Sequence, residues 1–367
     1  MRQTGRPARY YSQGYRCRQT NSRLLSRWRL AALSLMIGLP TVSCTGSLQT
    51  TEAPPATIKE FTLTPGQKVI GEVREYVVQP GEGLNDIARK FDLGYTALAA
   101  ANPGVDQFTP GVGRRLIIPA LYVLPDAPRR GIVINLAQYR MFYFPPGGDR
   151  VETYPLGLGV IGKKTPLGTT SVVRREPNPT WYPPPSIRAE RPELPPMIPP
   201  GPNNPLGNYA LRLGWKNYLI HGTNKPDGVG RNVSHGCIHM YPEDIERLFG
   251  ELSVGAPVRT VNQLATAGWV RDRLYLEVYP SKTQTEEIDT DHLVSFEPAP
   301  GARNVVRAAA GRYADAVDWR AVDRAAQERT GAPVLVADRS TSANRSDEAQ
   351  KPEDGEASIS RPVRPRL

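Results

Sequence analysis

Cysteine and histidine are the scarce residues of this chain. Its 367 residues include three cysteines, Cys17, Cys44 and Cys237, and four histidines. Three cysteines cannot build a disulfide-dense scaffold, and no C-x-x-C pair is present to form half of a zinc ribbon. Acidic residues are missing from residues 1–44, which carry Arg2, Arg6, Arg9, Arg16, Arg18, Arg23, Arg27 and Arg29. The formal net charge of +10 falls to +2 without those eight arginines, so the basic balance belongs to the start of the chain. Little charge is left for a nucleic-acid surface, and nucleic acid is excluded as a partner. The apolar run Leu30 to Ser43 is too short for a stable membrane anchor. Behind its arginine-rich start it reads as the core of a secretory signal, making residues 1–44 a leader. Thr41-Val42-Ser43-Cys44 leaves two processing routes open: lipidation of Cys44, the only membrane attachment expected, or ordinary cleavage after small residues. Once Cys17 leaves with the leader, Cys237 is the one certain free thiol. A lone thiol in an oxidising compartment suits a reactive nucleophile better than a structural bridge.

What the chain does have is concentrated between His221 and Met240, reading HGTNKPDGVGRNVSHGCIHM. Three of the four histidines lie here, with Cys237 and with Gly222, Gly228, Gly230 and Gly236 to permit sharp turns. A thiol with an imidazole in reach is the material of nucleophilic catalysis: the sulfur attacks and the ring takes its proton. Tyr218, Leu219 and Ile220 read as a short buried strand ending at His221, with a loop returning the chain to Cys237. Two other readings stay open. His221, His235, Cys237 and His239 are ligand types for zinc, although H-x-C-x-H lacks paired spacing and a second cluster. His235 or His239 singly also fits a structural role.

His221, twelve residues, then Ser234-His235-Gly236-Cys237 resembles the L,D-transpeptidase (YkuD) catalytic signature. Further stretches resemble the same domain: Gly131 to Leu136 and Tyr143 to Gly147 at its opening, Pro177 to Trp181 and Gly201 to Gly207 in its middle, and Tyr209 to Leu213 before the motif. The Gram-negative periplasmic branch, which includes enzymes attaching the major outer-membrane lipoprotein to peptidoglycan, is the most similar. The resemblance implies Cys237 as nucleophile and His221 as proton donor and acceptor. Gly222 would orient the ring through its carbonyl, in the place a carboxylate takes in a Ser-His-Asp triad. The amides of His235, Gly236 and Cys237 would form the oxyanion hole, with His235 supporting the loop. Ser234, His239, Trp181 and Tyr182 are expected at the substrate. His239 stands where that branch commonly has Arg or Asn, types that bind a carboxylate. The implied substrate is a peptidoglycan stem tetrapeptide, and the acceptor an amine, either of another stem or of a lysine-terminated outer-membrane lipoprotein. No cofactor and no bound metal are needed. Two alternatives are a cysteine hydrolase that trims stems or releases attached protein, and a non-catalytic wall-binding protein.

The expected class is α+β. Residues 45–73, rich in Thr, Pro and Gly, read as a linker. Residues 74–120 give a βααβ order: a strand at Tyr76 to Val78, helical spacing at Leu84, Ile87, Ala88 and Phe91, a second short helix from Tyr95, and a strand at Leu116 to Pro119. This resembles a LysM module, which implies binding to peptidoglycan glycan. Its usual G-D-T-L is here Gly81-Glu82-Gly83-Leu84, a departure that bears on helix capping. Residues 130–262 read as a mostly-β catalytic domain, a sandwich with short helices, with a closing strand to about 280. Gly157, Gly159 and Gly162 sit close together, but no helical pattern comes after them, so they read as strand and turn positions and not as a dinucleotide fingerprint. The proline-dense stretch 176–207 is expected to be an ordered lid. Pro242 to Phe249 reads as a helix stopped by Gly250. Residues 281–367 are expected to be a largely disordered extension, with a weak helical pattern from Val305 to Arg329 around Trp319. Exported and wall-facing, the protein is expected in the periplasm.

Overall fold

The computed structural model describes residues 59–159, 165–234, 236–290 and 297–340. The leader expected at 1–44, the processing site at Cys44, Gly162 and the tail 341–367 lie outside the described residues. No helix among the described residues is long and apolar enough to cross a membrane.

Regular structure begins inside the expected linker, which corrects its end at residue 73. Strand β1 is Glu60–Thr62 and β2 is Val69–Val77. β1 gives little apolar pattern because only Phe61 is half-buried; backbone pairing with Arg150 to Glu152 holds it. After β2 come α1 (Leu84–Lys90), α2 (Tyr95–Ala101) and β3 (Arg115–Val123), the βααβ order read from the sequence. The Gly83 N–H at the start of α1 donates to Asp86 Oδ2 at 2.9 Å. Asp86 thus supplies a cap that Glu82-Gly83 does not. Leu84, Ile87 and Leu98 from the two helices share one apolar cluster with Val133, Phe142 and Phe144 of the next domain. A common core therefore fixes the βααβ unit to that domain.

The domain contains β4 (Gly131–Asn135), β5 (Arg140–Phe144), β6 (Arg150–Pro155), β7 (Leu158–Gly159), β8 (Gly168–Pro177) and α3 (Pro185–Glu190). It continues through β9 (Tyr209–Leu213), β10 (Leu219–His221), β11 (Asn232–Ser234), β12 (Ile238–His239), α4 (Pro242–Glu251) and β13 (Pro257–Val261). The domain is mostly β with few helices, as expected, and eight of its strands and β1 are ordered in one nine-stranded sheet as β1-β6-β5-β4-β13-β8-β9-β10-β12. β4 and β5 are buried throughout because both faces are covered. Val133 and Phe142 face the βααβ unit, while Ile132, Ile134 and Met141 face a second core with Ile245 and Leu248 of α4. α4 starts at Pro242 with Glu243 and Asp244 in its first turn, where acids meet the positive end of the helix. It runs through Gly250 to Glu251, one correction to its expected stop.

The largest correction lies after residue 262. Leu274 to Val278 does not close the catalytic sheet, and residues 281–290 and 297–340 are folded. β14 (Ala265–Val270) and β15 (Arg273–Val278) pair, and after them come α5 (Lys282–Asp289), α6 (Ala302–Ala310), α7 (Trp319–Glu328) and β16 (Val334–Asp338). The order β14-β15-β16 forms a separate sheet, with α6 and α7 sharing its apolar core. Its contacts come largely from Ala302, Ala310, Ala321, Ala325 and Ala326 with Val306 and Val322. Alanine gives weak hydrophobic contrast, so helices with a buried alanine face look polar in composition.

Candidate active site

The site is built on the β9–β10–β12 edge. β10 pairs antiparallel with β9, setting Leu219 opposite Arg212 and His221 opposite Ala210. On its other side it pairs parallel with β12, setting Ile220 beside Ile238 and His221 beside His239. Ile220, Ile238 and Leu211 are wholly buried in the core. Side chains alternate along a strand, so Arg212, Leu219, His221 and His239 share the opposite face. Cys237, one residue before Ile238, continues that register beside Leu219. Strand spacing and rise put its Cα about 8 Å from that of His221. The sixteen-residue separation closes because the loop is the crossover between two parallel strands.

His221 is buried, 3% exposed, and its Nδ1 lies 2.6 Å from the Gly222 carbonyl oxygen. Nδ1 must donate there, which leaves Nε2 as the acceptor. Burial pulls the ring's pKa down to about 4, against the smaller opposing effect of the Gly222 bond. The His239 ring packs on it, centroids 4.5 Å apart and tilted by 52°. Burial, then the neighbouring His221, hold His239 well below the ordinary range. Cys237 forms no disulfide and is half-buried. Its Sγ lies 3.8 Å from the Asn217 carbonyl oxygen. Burial pushes the thiol up from its ordinary 9.0, opposed by a backbone hydrogen bond at Leu219 and by the charge of Arg212.

The thiol and the imidazole are thus both held toward their neutral forms at rest, not as a thiolate–imidazolium pair. Ultraviolet absorbance of the thiolate is expected to be absent at neutral pH and to grow only above the thiol's ordinary 9.0. Absorbance already present at pH 6.5 would contradict this. The acid limb of activity is expected at about pH 4, not at the ordinary histidine value of 6.5. Stability follows with the same sign: a depressed histidine favours the fold fully above 6.5, and that contribution is lost as pH falls toward 4.

Gly236 has φ +106°, a conformation that glycine tolerates and other residues resist. Its carbonyl accepts a hydrogen bond from the buried Thr165 Oγ1 at 3.0 Å. In a trans peptide the N–H of Cys237 then points away from Thr165. Ser234 ends β11 beside Gly159; its side chain and the whole of His235 lie outside the described residues. In the proline-dense stretch 176–207, Trp181 is half-buried and exchanges backbone hydrogen bonds with Ile198 at 2.9 and 2.8 Å, whereas Tyr182 is 65% exposed. Gly157 exchanges hydrogen bonds with His239, both at 2.9 Å, and Gly159 lies in β7, in keeping with strand and turn roles. Among the described residues no three His, Cys, Asp or Glu side chains converge as a metal site.

Asn204 and Arg212 belong to this neighbourhood without having stood out in the sequence. Asn204 is wholly buried; Nδ2 donates to the carbonyls of Pro179 at 2.7 Å and Pro199 at 3.1 Å, and Oδ1 accepts from Leu206 N–H at 2.9 Å. Proline has no N–H, so a proline-rich segment leaves carbonyls that a side-chain amide must satisfy. The turn then lays Gly207 on Gly222: a Cβ at Gly207 would stand 3.2 Å from Gly222 Cα. A buried-type amide amid prolines is the signal that was present.

The βααβ unit reaches the same loop. Tyr95 N–H donates to the Val229 carbonyl at 3.1 Å and Thr96 Oγ1 to that of Gly230 at 2.5 Å. Arg231 lies over the Tyr95 ring at 3.4 Å and pairs with Asp289 of α5.

Residues 129–260 match the L,D-transpeptidase catalytic domain (YkuD), and residues 76–119 match the LysM domain. A probable L,D-transpeptidase of Escherichia coli K12, YcfS, is 43% identical over 218 residues, 57% of this chain and 68% of that protein. A second from the same strain, ErfK/SrfK, is 36% identical over 289 residues, 75% of this chain and 90% of that protein. The catalytic domain of an E. faecium L,D-transpeptidase, solved by NMR, is 22% identical with TM-score 0.30, covering 37% of this chain and all of that one.

Proposed function

Since the chain belongs to the L,D-transpeptidase family, we propose that it is a periplasmic enzyme acting on peptidoglycan stem tetrapeptides through a Cys237 thioester. The observation that supports this best is the register that sets Cys237 and His221 on one sheet face, with His221 Nδ1 held by the Gly222 carbonyl at 2.6 Å. Cys237 Sγ attacks the carbonyl of the third, diamino-acid residue. The S–C bond forms, the C–N bond to the terminal D-alanine breaks, and the thiol proton passes through His221 Nε2 to the leaving amine. An incoming amine then attacks the thioester, giving its proton back through His221 to the sulfur. The resting contact with Asn217 is exchanged for the imidazole on the way, since catalytic hydrogen bonds often tighten only with substrate bound. The tetrahedral oxyanion is held by the Cys237 amide and its neighbours at Gly236 and His235; losing one such donor costs about 3 kcal/mol. Ser234, His239 and the lid residues Trp181 and Tyr182 line the stem, and the LysM module holds the glycan. The acceptor is the amine of a second stem or the terminal lysine of an outer-membrane lipoprotein.

The test is intact-mass analysis with a tetrapeptide muropeptide, with and without a lysine-terminated peptide. Loss of D-alanine and gain of the tripeptide acyl mass on Cys237, then dimers or peptide adducts, is the expected result. Trimmed monomers alone would make the enzyme a hydrolase. No acyl adduct under any condition would overturn the thioester.

A further inference from the structure

The active-site face carries a pair of cations that the reaction above leaves unused. Arg174 on β8 stands in register with Arg212 on β9, and Arg212 in register with Leu219 on β10. The next position across the sheet is Cys237, so one row runs from Arg174 through Arg212 and Leu219 to the nucleophile. A register shift between Val172 and Arg174 makes this row: Val172 is wholly buried, and the extra residue turns Arg174 to the opposite face. Glu176 sits against both arginines, accepting from Arg212 Nε at 2.6 Å and pairing with Arg174. Two guanidiniums against one carboxylate leave one positive charge. Both arginines are open, with side-chain exposures of 62% for Arg174 and 39% for Arg212, whereas Glu176 is 16% exposed. Among the described residues no acceptor other than Glu176 takes Arg212, and its Nη edge is unused. A planar two-pronged donor at that edge fits a carboxylate.

We propose that Arg212, backed by Arg174, anchors a free carboxylate of the acyl donor beside Cys237. This rests on the donor being a stem peptide whose third residue is a diamino dicarboxylic acid, so that its side chain and the terminal D-alanine both carry carboxylates. His239 cannot supply this charge, because burial keeps its ring neutral and it packs on His221. Arg212 lies in the row that ends at Cys237, and its charge opposes the upward push of burial on the thiol. Glu176 holds the guanidinium in place and is also the residue from which the lid departs, so anchor and lid share a root.

The experiment compares Arg212→Gln and Arg212→Lys with the wild-type protein on three donors: the free tetrapeptide, its terminal carboxamide, and the carboxamide of its diamino-acid side chain. Arg212→Gln is expected to lower kcat/KM for the free donor about 10- to 100-fold, mostly through KM. The loss is expected to shrink to under about threefold on one of the two amides, which identifies the carboxylate held. Arg212→Lys is expected to recover part of the loss, because charge returns without the fork. Equal losses on all three donors, or no loss on any, would overturn the anchor. If the wild-type protein forms no thioester with any donor, the reaction class itself falls; if it does and Arg212→Gln matches it, only the anchor falls.

Discussion

Cys237→Ala is expected to eliminate acyl-enzyme formation while leaving the fold intact. The thiol is half-buried and its contact with Asn217 is long, 3.8 Å, so its removal costs the fold little, under about 1 kcal/mol. Turnover is expected to fall about 10⁴-fold or more, since a covalent route has no substitute nucleophile at that position. Cys237→Ser is expected to be nearly as inactive. A hydroxyl holds its proton far more tightly than a thiol, and an imidazole depressed to about 4 is a weak base for it. Sulfur is already pushed above its ordinary range here, so the proton transfer has little margin. Intact mass after incubation with tetrapeptide checks the adduct, and a melting curve checks the fold. His221→Ala combined with Cys237→Ala is expected to be no slower than Cys237→Ala alone, because the two act as one unit. Full activity in Cys237→Ala would remove both the transpeptidase and the hydrolase readings.

The parts of this molecule legible in its sequence are those with strong local contrast. Ile132 to Leu136, Met141 to Phe144 and Tyr218 to Ile220 are apolar runs bounded by turn residues, and strands form there over Gly131–Asn135, Arg140–Phe144 and Leu219–His221. The helix at Pro242 carries its own start signal. Cys237 and His221 could be picked out because rare residue types gathered in one glycine-rich loop are seldom there for packing alone. Four features were hidden for physical reasons. β1 depends on pairing with a strand some ninety residues later (Glu60 with Glu152). The domain after residue 262 hides its core in alanines. Asn204 matters through backbone carbonyls that only the folded proline-dense segment assembles. Arg212 reads as an ordinary outward strand residue until the register places it in the row that ends at Cys237. In each case the missing information was which distant segment lies alongside, and periodicity does not carry that.

Gly230→Ala is expected to destabilise the protein by about 3 kcal/mol and to slow turnover at least about tenfold. Gly230 has φ +89°, where a side chain costs about 1–2 kcal/mol by itself. The added methyl would also stand 2.5 Å from the carbonyl carbon and Cα of Gly94 and against Tyr95 N. Those are backbone atoms at the start of α2, so no rotamer change relieves the clash, and overpacking adds about 1–3 kcal/mol. Relief requires the βααβ unit and the loop to separate, which breaks the 2.5 Å bond from Thr96 Oγ1 to Gly230 and the 3.1 Å bond from Tyr95 to Val229. Arg231 would lose the Tyr95 ring that it covers at 3.4 Å. The same loop runs directly through β11 to Gly236 and Cys237, so its displacement moves the Cys237 thiol against His221. A shift of an ångström there is enough to slow the reaction by orders of magnitude. Gly94→Ala approaches the same contact from the other side, its methyl 2.5 Å from Gly230 Cα, and is expected to act alike. Gly250→Ala is the matched control: nothing lies within 4 Å, the position is helical, and alanine is expected to add about 0.5–1 kcal/mol. Urea midpoints and acylation rates of the three variants decide the matter. If Gly230→Ala unfolds with the wild-type protein and acylates at the wild-type rate, the βααβ unit does not brace the catalytic loop.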